Sequence, residues 1–155
     1  MTIEDLAKRV QILEDIEAIK RLKARYAQAC DSNYNPDEMV KIFTEDAVWD
    51  GGADFGVHRG RKEIKEFFKK VSGDLVFAIH YFMSPSITIE GNKANGRWYL
   101  WQAATLKGNK AVWLAGFEDD KYEKINNAWF QSEMKLTLLF MTPYEQGWHK
   151  KRILE

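Results

Sequence analysis

Two residues in this sequence carry titratable side chains that their local surroundings do not explain. Asp31 closes the helical repeat Asp15-Ile-Glu-Ala-Ile-Lys-Arg-Leu-Lys-Ala-Arg-Tyr-Ala-Gln-Ala-Cys-Asp31, just before Ser-Asn-Tyr-Asn-Pro breaks it. A carboxylate there opposes the helix dipole, whose C-terminal carbonyls already carry partial negative charge, so helix stability does not account for it. His80 stands within Leu-Val-Phe-Ala-Ile-His-Tyr-Phe, a run of rings and branched side chains. An imidazole in such a run acts as a general base when a nearby carboxylate holds one ring nitrogen and fixes the tautomer. A core histidine bonded to a backbone carbonyl is the alternative reading. The chemistry these residue types support is proton transfer in an apolar cavity, with neither a metal nor a covalent nucleophile required.

The elements that must position these groups follow from periodicity. Ile16, Ile19, Leu22, Tyr26, Ala27 and Cys30, with Lys23 contributing its stem, recur at three- and four-residue intervals, with Glu17, Lys20, Arg21 and Arg25 on the opposite face. Residues 3–30 therefore read as one helix. Its upstream part, with Leu6, Val10 and Leu13, is a helical extension over about residues 1–14 that suits packing or oligomer contacts. Pro36 starts a short helix over 36–43. A strand over 44–50 meets a turn at Gly51-Gly52, and 55–60 returns as its hairpin partner. Ile64, Phe67 and Phe68 mark a helix over 61–71. Strands follow over 75–83, 86–90 after the interruption at Pro85, 94–106, 111–125 with a bulge near Gly116, and 129–141. Short turns at Gly91-Asn92, Gly108-Asn109 and Asn126-Asn127 join them. Helices followed by antiparallel strands predict an α+β fold, read as a single domain over 1–155 with a tail over 144–155 that covers the cavity or frays.

Strand alternation sorts the side chains by face. Val76, Ala78, His80 and Phe82 share one face, and Trp98, Leu100 and Gln102 share another. Arg97, Tyr99 and Trp101 point the other way, where burial against a second subunit would keep the rings from water. The chain of 155 residues has 23 basic and 23 acidic side chains, which leaves no electrostatic footprint for nucleic acid or an anionic membrane. Its single cysteine, Cys30, excludes an internal disulfide framework and reads as a small buried hydrophobe. No signal peptide is visible and no apolar run has membrane-spanning length, so a cytoplasmic location is expected. Six Trp, six Tyr and nine Phe fill a core and also suit a pocket for a bulky apolar molecule.

The order of the pieces Ile-Lys-Arg-Leu-Lys-Ala-Arg-Tyr26 with Asp31 after it, Ala-Ile-His80-Tyr, Gly96-Arg-Trp-Tyr-Leu100 and Asp120-Lys-Tyr-Glu-Lys…Trp129 resembles the SnoaL-like branch of the nuclear transport factor 2-like superfamily, over nearly the whole chain. Within it the pattern is most similar to that of the bile-acid 7α-dehydratases, and more distantly to hexachlorocyclohexane dehydrochlorinases and scytalone dehydratases. The resemblance implies a cone: a curved antiparallel-to-mixed sheet wrapped around N-terminal helices, with an apolar pocket at its open end (the cystatin-like α+β barrel). It implies a catalytic Tyr26, an Asp31 that orients and charges His80, and a His80 that removes a proton from carbon as a leaving group departs. It implies no cofactor, a hydrophobic small-molecule substrate, and a homo-oligomer, a trimer in preference to a dimer. The function implied is dehydratase-type elimination. An isomerase or polyketide cyclase using the same pair, and a non-catalytic binding module, are the alternatives.

Two positions depart from the dehydratase pattern. Gln102 replaces an Asp and cannot carry a proton near neutral pH, and Leu138 replaces an Arg that could receive an anionic group. Gln102, Trp98, Trp49, Phe82, Trp113, Phe117, Leu138 and Phe140 form the expected substrate-binding set, the aromatic members serving the core first and the pocket second. His58 reads as a hairpin or loop residue, His149 as solvated, and Asp119-Asp120 as a turn cap. Asp46, Asp50 and His58 lack the spacing of a known metal site, and no metal is expected.

Overall fold

A helix of 29 residues, α1 (Ile3–Asp31), packs its part from Asp15 onward into the hollow of a curved sheet. Its start is fixed by a capping box: Thr2 accepts from the Asp5 amide, and the Asp5 carboxylate accepts from that of Thr2. Ile19, Leu22, Tyr26, Ala29 and Cys30 are buried along one stripe, as the periodicity requires, while Leu6, Val10 and Leu13 remain exposed. Asp15 is buried as well. Lys124 at 2.7 Å and the Trp129 indole at 2.9 Å outweigh the effect of burial and hold its carboxyl below the usual range. The structure is a computed structural model, and it describes residues 1–153.

After α1 the chain turns sharply, with Asn33 and Tyr34 both in the left-handed region. Asn35 then caps α2 (Pro36–Met39), which is shorter than the helix over 36–43 that proline placement suggests. Strand β1 (Phe43–Asp50), a turn of helix α3 (Gly52–Phe55), β2 (Val57–Arg59) and helix α4 (Gly60–Asp74) follow. Four long strands complete the sheet: β3 (Leu75–Glu90), β4 (Lys93–Leu106), β5 (Lys110–Ile125) and β6 (Ala128–Pro143). The sheet order is β2-β1-β6-β5-β4-β3, antiparallel throughout except for the parallel pair of β1 with β6. This is a mixed α+β fold with a curved, unclosed sheet.

Pro85 does not end β3. The chain passes it through a register shift between Met83 and Ser86 and resumes pairing with β4. Between β5 and β6 the register slips at Gly116, where the ladder moves from Phe140 to Leu138. The unpaired residue is therefore Leu139, on the partner of the strand where composition placed the bulge. Gly116 is required there, because a Cβ would lie 2.1 Å from the Thr137 carbonyl oxygen. The last short helix, α5 (Gly147–Lys150), lies on the outer side of the sheet, with Trp148 stacked on Phe140 and edge-on to Trp101. The tail thus covers the outward aromatics and not the cavity, and its last two residues lie outside those described. Trp101 finds its cover within its own chain, while Tyr99 stays half exposed. None of the described helices is long and apolar enough to cross a membrane.

Candidate active site

Asp31 and His80 come together across the end of α1 and the middle of β3. One carboxylate oxygen, Oδ1, accepts from the His80 backbone amide at 3.0 Å and lies 2.7 Å from its Nδ1. The doubled contact fixes ring position and tautomer at once. An ionised carboxylate only accepts, so Nδ1 carries the hydrogen and Nε2 presents its lone pair. The His80 side chain is 7% exposed, whereas that of Asp31 is 33% exposed. The imidazole therefore lies within the wall while its carboxylate partner stays in touch with water.

Nε2 faces a hydroxyl that periodicity did not reveal. Tyr34 Oη lies 3.3 Å from it, and Gln102 Nε2 donates to the same phenol oxygen at 3.4 Å. Since the Gln102 amide donates to the phenol oxygen, the Tyr34 proton is directed to Nε2. Burial raises the Tyr34 hydroxyl above its ordinary range, so it remains a donor. The two consecutive left-handed residues after α1 fold Tyr34 back over the helix end, against Phe68 and edge-on to His80. Such a return has no period in the sequence; Asn33, a residue tolerant of positive φ, was its only local signal.

Tyr26 lines the same cavity. The Trp49 indole donates to its hydroxyl at 3.1 Å, and burial raises that hydroxyl well above its ordinary range. Cys30, beside it, is likewise raised by burial and remains a thiol, not the thiolate a nucleophile needs. The cavity encloses about 110 Å³ and opens at a mouth. Its walls are mostly apolar. Phe55, Phe67, Phe68 and Val71 on one side and Leu100, Leu114, Leu136 and Met141 on the other surround His80, Tyr26, Tyr34, Gln102 and Glu118.

Of the expected lining residues, Trp49 and Gln102 face this cavity. Trp98 and Phe82 point inward but sit around the Lys23 ammonium, which lies over both rings. Trp113 and Phe117 belong to the outer face, because β5 turns Val112, Leu114, Glu118, Asp120 and Tyr122 inward and its odd-numbered positions outward. Leu138 packs against the core without reaching the cavity. The unpaired Leu139 reverses the alternation of β6 beyond it, so Phe140 turns outward and Met141 inward. In β3 the shift between Leu75 and Phe77 similarly leaves Val76 exposed and brings Leu75 to the cavity. His58 is a strand residue whose Nε2 is 2.9 Å from the Phe55 carbonyl oxygen, and Asp50 accepts from the Gly52 amide; both side chains hold local backbone.

Behind Tyr26 lies a buried ionic cluster. Lys23 donates to Glu118 and, at 2.8 Å, to Asp120. Tyr122 donates to Asp120 at 2.6 Å and accepts from the Trp98 indole at 3.0 Å. Asp119-Asp120 is therefore no turn cap: alternation places Asp119 outside, paired with Arg97, and Asp120 inside beneath Lys23. Lys23 buries its charge as well as its stem, and the two carboxylates outweigh burial to hold it ionised.

A curved, unclosed sheet packed on a long helix, with a histidine–carboxylate pair at an apolar hollow, defines the class as a small α+β protein. The chain belongs to the SnoaL-like domain family, whose sequence profile matches residues 11–135. A Novosphingobium aromaticivorans protein provisionally called an aromatic ring hydroxylase superposes with a TM-score of 0.80 at 28% identity, over 84% of this chain and 94% of its own. A hexachlorocyclohexane dehydrochlorinase from Novosphingobium barchaimii superposes with a TM-score of 0.80 at 20% identity, over 87% and 93% of the two chains. A second N. aromaticivorans protein, provisionally called scytalone dehydratase, gives a TM-score of 0.78 at 22% identity, over 85% and 89%. The last two are likenesses of fold.

Proposed function

We propose that this protein is a cofactor-independent lyase that removes water from a hydrophobic alicyclic or polycyclic molecule. The observation that carries this reading is the His80 imidazole, held through Nδ1 by Asp31 at 2.7 Å with Nε2 turned to an apolar cavity. The names of two similar structures, a dehydrochlorinase and a scytalone dehydratase, are those of eliminating enzymes and support the same class. His80 takes a proton from carbon through Nε2. Asp31 holds the ring and offsets the imidazolium charge as it forms. Tyr26 donates a hydrogen bond to a substrate oxygen. Tyr34 covers Nε2 and gives way to the substrate hydrogen. A positioned base of this kind contributes about 10²–10⁴-fold.

The test is a mass-spectrometric turnover screen of hydroxylated steroids, terpenoids and polyketide-like ketones, with Asp31→Asn and His80→Ala beside the wild type. The expected result is a product lighter by one water, formed about 10²-fold or more slowly by both variants while their far-ultraviolet spectra stay unchanged. A product of unchanged mass would move the assignment to isomerisation or cyclisation by the same pair. Wild-type turnover in either variant would remove the pair from the mechanism.

A further inference from the structure

Lys23, Glu118 and Asp120 bring two carboxyl groups and one ammonium into a region where their side chains are between 0% and 4% exposed. Carrying a net negative charge there is costly, and holding one proton in the cluster removes it. The partners decide where that proton sits. Asp120 Oδ2 receives two donors, Lys23 and Tyr122, while its buried Oδ1 has no hydrogen-bond partner among the described residues. Among the described residues Glu118 receives Lys23 alone, and it also lines the cavity that holds His80, Tyr26 and Gln102. The titratable groups facing it are Lys23, Tyr26 and Cys30 from α1 and Asp120 and Tyr122 from its own strand. Its partners across β4 and β6, Trp98 and Leu136, carry no charge.

We propose that Glu118 is a second acid–base group of the cavity, a neutral carboxylic acid that hands its proton to an oxygen of the bound molecule while His80 acts from β3. Burial pushes its carboxyl up to about 7; Lys23 opposes the shift and Asp120 adds to it. Because a negative charge at Glu118 is already disfavoured, the oxygen it meets belongs to a neutral group, a hydroxyl or a ketone, and not to a carboxylate or phosphate. The proton-delivery step rests on the elimination reading. The His80 lone pair takes a proton from carbon and the C–H electron pair becomes the new C=C bond. The C–O bond breaks with its electrons on oxygen, and that oxygen takes the Glu118 proton and leaves as water. His80 ends protonated and Glu118 ionised, and exchange with solvent returns the proton from one to the other.

The test uses the full chain labelled with ¹³C at its glutamate carboxyls and titrated by NMR from about pH 4 to 9, a range that spans ordinary carboxylates and the raised one. The expected result is one glutamyl resonance with a midpoint near neutrality, absent in Glu118→Gln and present in Asp31→Asn. The neutral bicyclic ketone 2-decalone, bound to the same protein, reports donation through its infrared carbonyl band. That band should lie lower while Glu118 is protonated, rise as it ionises, and lose this response in Glu118→Gln. The wild-type titration stands without the variant should the substitution weaken the fold, and aspartate-labelled protein tests the competing site at Asp120. The proposal is overturned if every glutamate titrates in the ordinary acidic range, if an aspartyl resonance carries the neutral midpoint, or if the ketone is not bound or its band ignores pH. Neither readout requires turnover. A screen without product therefore defeats the elimination reading while leaving these results in place, and their failure leaves the His80–Asp31 pair untouched.

Discussion

Replacing Lys23 with methionine keeps the length and apolar volume of the stem and removes the one cation of the buried cluster. The Lys23 side chain is 1% exposed and pairs with both Glu118 and Asp120. Deleting one member of such a buried set costs about 3–5 kcal/mol, because the remaining charges lose compensation that water cannot supply. The loss should also depend on pH. In the wild type Glu118 rises from the ordinary 4.5 to about 7, burial acting first, Lys23 opposing and Asp120 adding. Between those values the folded chain binds more protons than the unfolded chain, so this group's contribution makes stability fall as pH rises and levels off above about 7. Without Lys23 the opposing influence is gone, the folded carboxyl holds its proton to higher pH, and the decline continues where the wild type has levelled. The stability gap between the two proteins therefore widens with pH, by at most about 1.4 kcal/mol per pH unit for each proton involved. Urea unfolding followed by tryptophan fluorescence at about pH 5, 7 and 9 measures it, with a gap of about 3–5 kcal/mol at the alkaline end and a smaller one at the acid end. A gap that is constant, below about 1 kcal/mol, or larger in acid would refute the electrostatic account, since a surface pair behaves that way.

Two further substitutions test the geometry. Tyr34→Phe removes the hydroxyl 3.3 Å from His80 Nε2 and leaves Asp31 in place. Because this hydroxyl only covers the base and gives way to substrate, turnover of the screened substrate should change by less than about tenfold, or about 1.4 kcal/mol of barrier, with a stability loss of about 1 kcal/mol from the lost hydrogen bonds; a fall beyond about 10³-fold would make Tyr34 a proton-transfer group in its own right. Gly116→Ala places a Cβ 2.1 Å from the Thr137 carbonyl oxygen. The β5–β6 ladder must shift to admit it, and urea unfolding should register about 1–3 kcal/mol of destabilisation; wild-type stability would show that the slip at Leu139 is not anchored by this glycine.

How much of this was legible in the sequence depends on how local the determining physics is. The helix over 3–30 and the orientation of Leu100 and Gln102 follow from intact periods, and both are seen in the structure. Asp31 was conspicuous because a carboxylate opposed a helix dipole, and it does lie against His80. What escaped detection was whatever interrupted a period. Phe140 was misplaced because one unpaired residue, Leu139, exchanged the faces of β6, and Leu75 gained the cavity through a similar shift in β3. Tyr34 belongs to no period: two left-handed residues, not a helix face, bring it to Nε2. The Lys23 cluster escaped for a different reason. Lys23 fitted its stripe by its stem alone, and Glu118 and Asp120 follow β5's alternation 95 and 97 residues away, where only the closed fold brings the charges together. The chemistry of such a cavity is thus divided. The imidazole and its carboxylate partner are marked by local misfit, whereas the hydroxyl over Nε2 and the buried Glu118 carboxyl are marked only by the topology that assembles them.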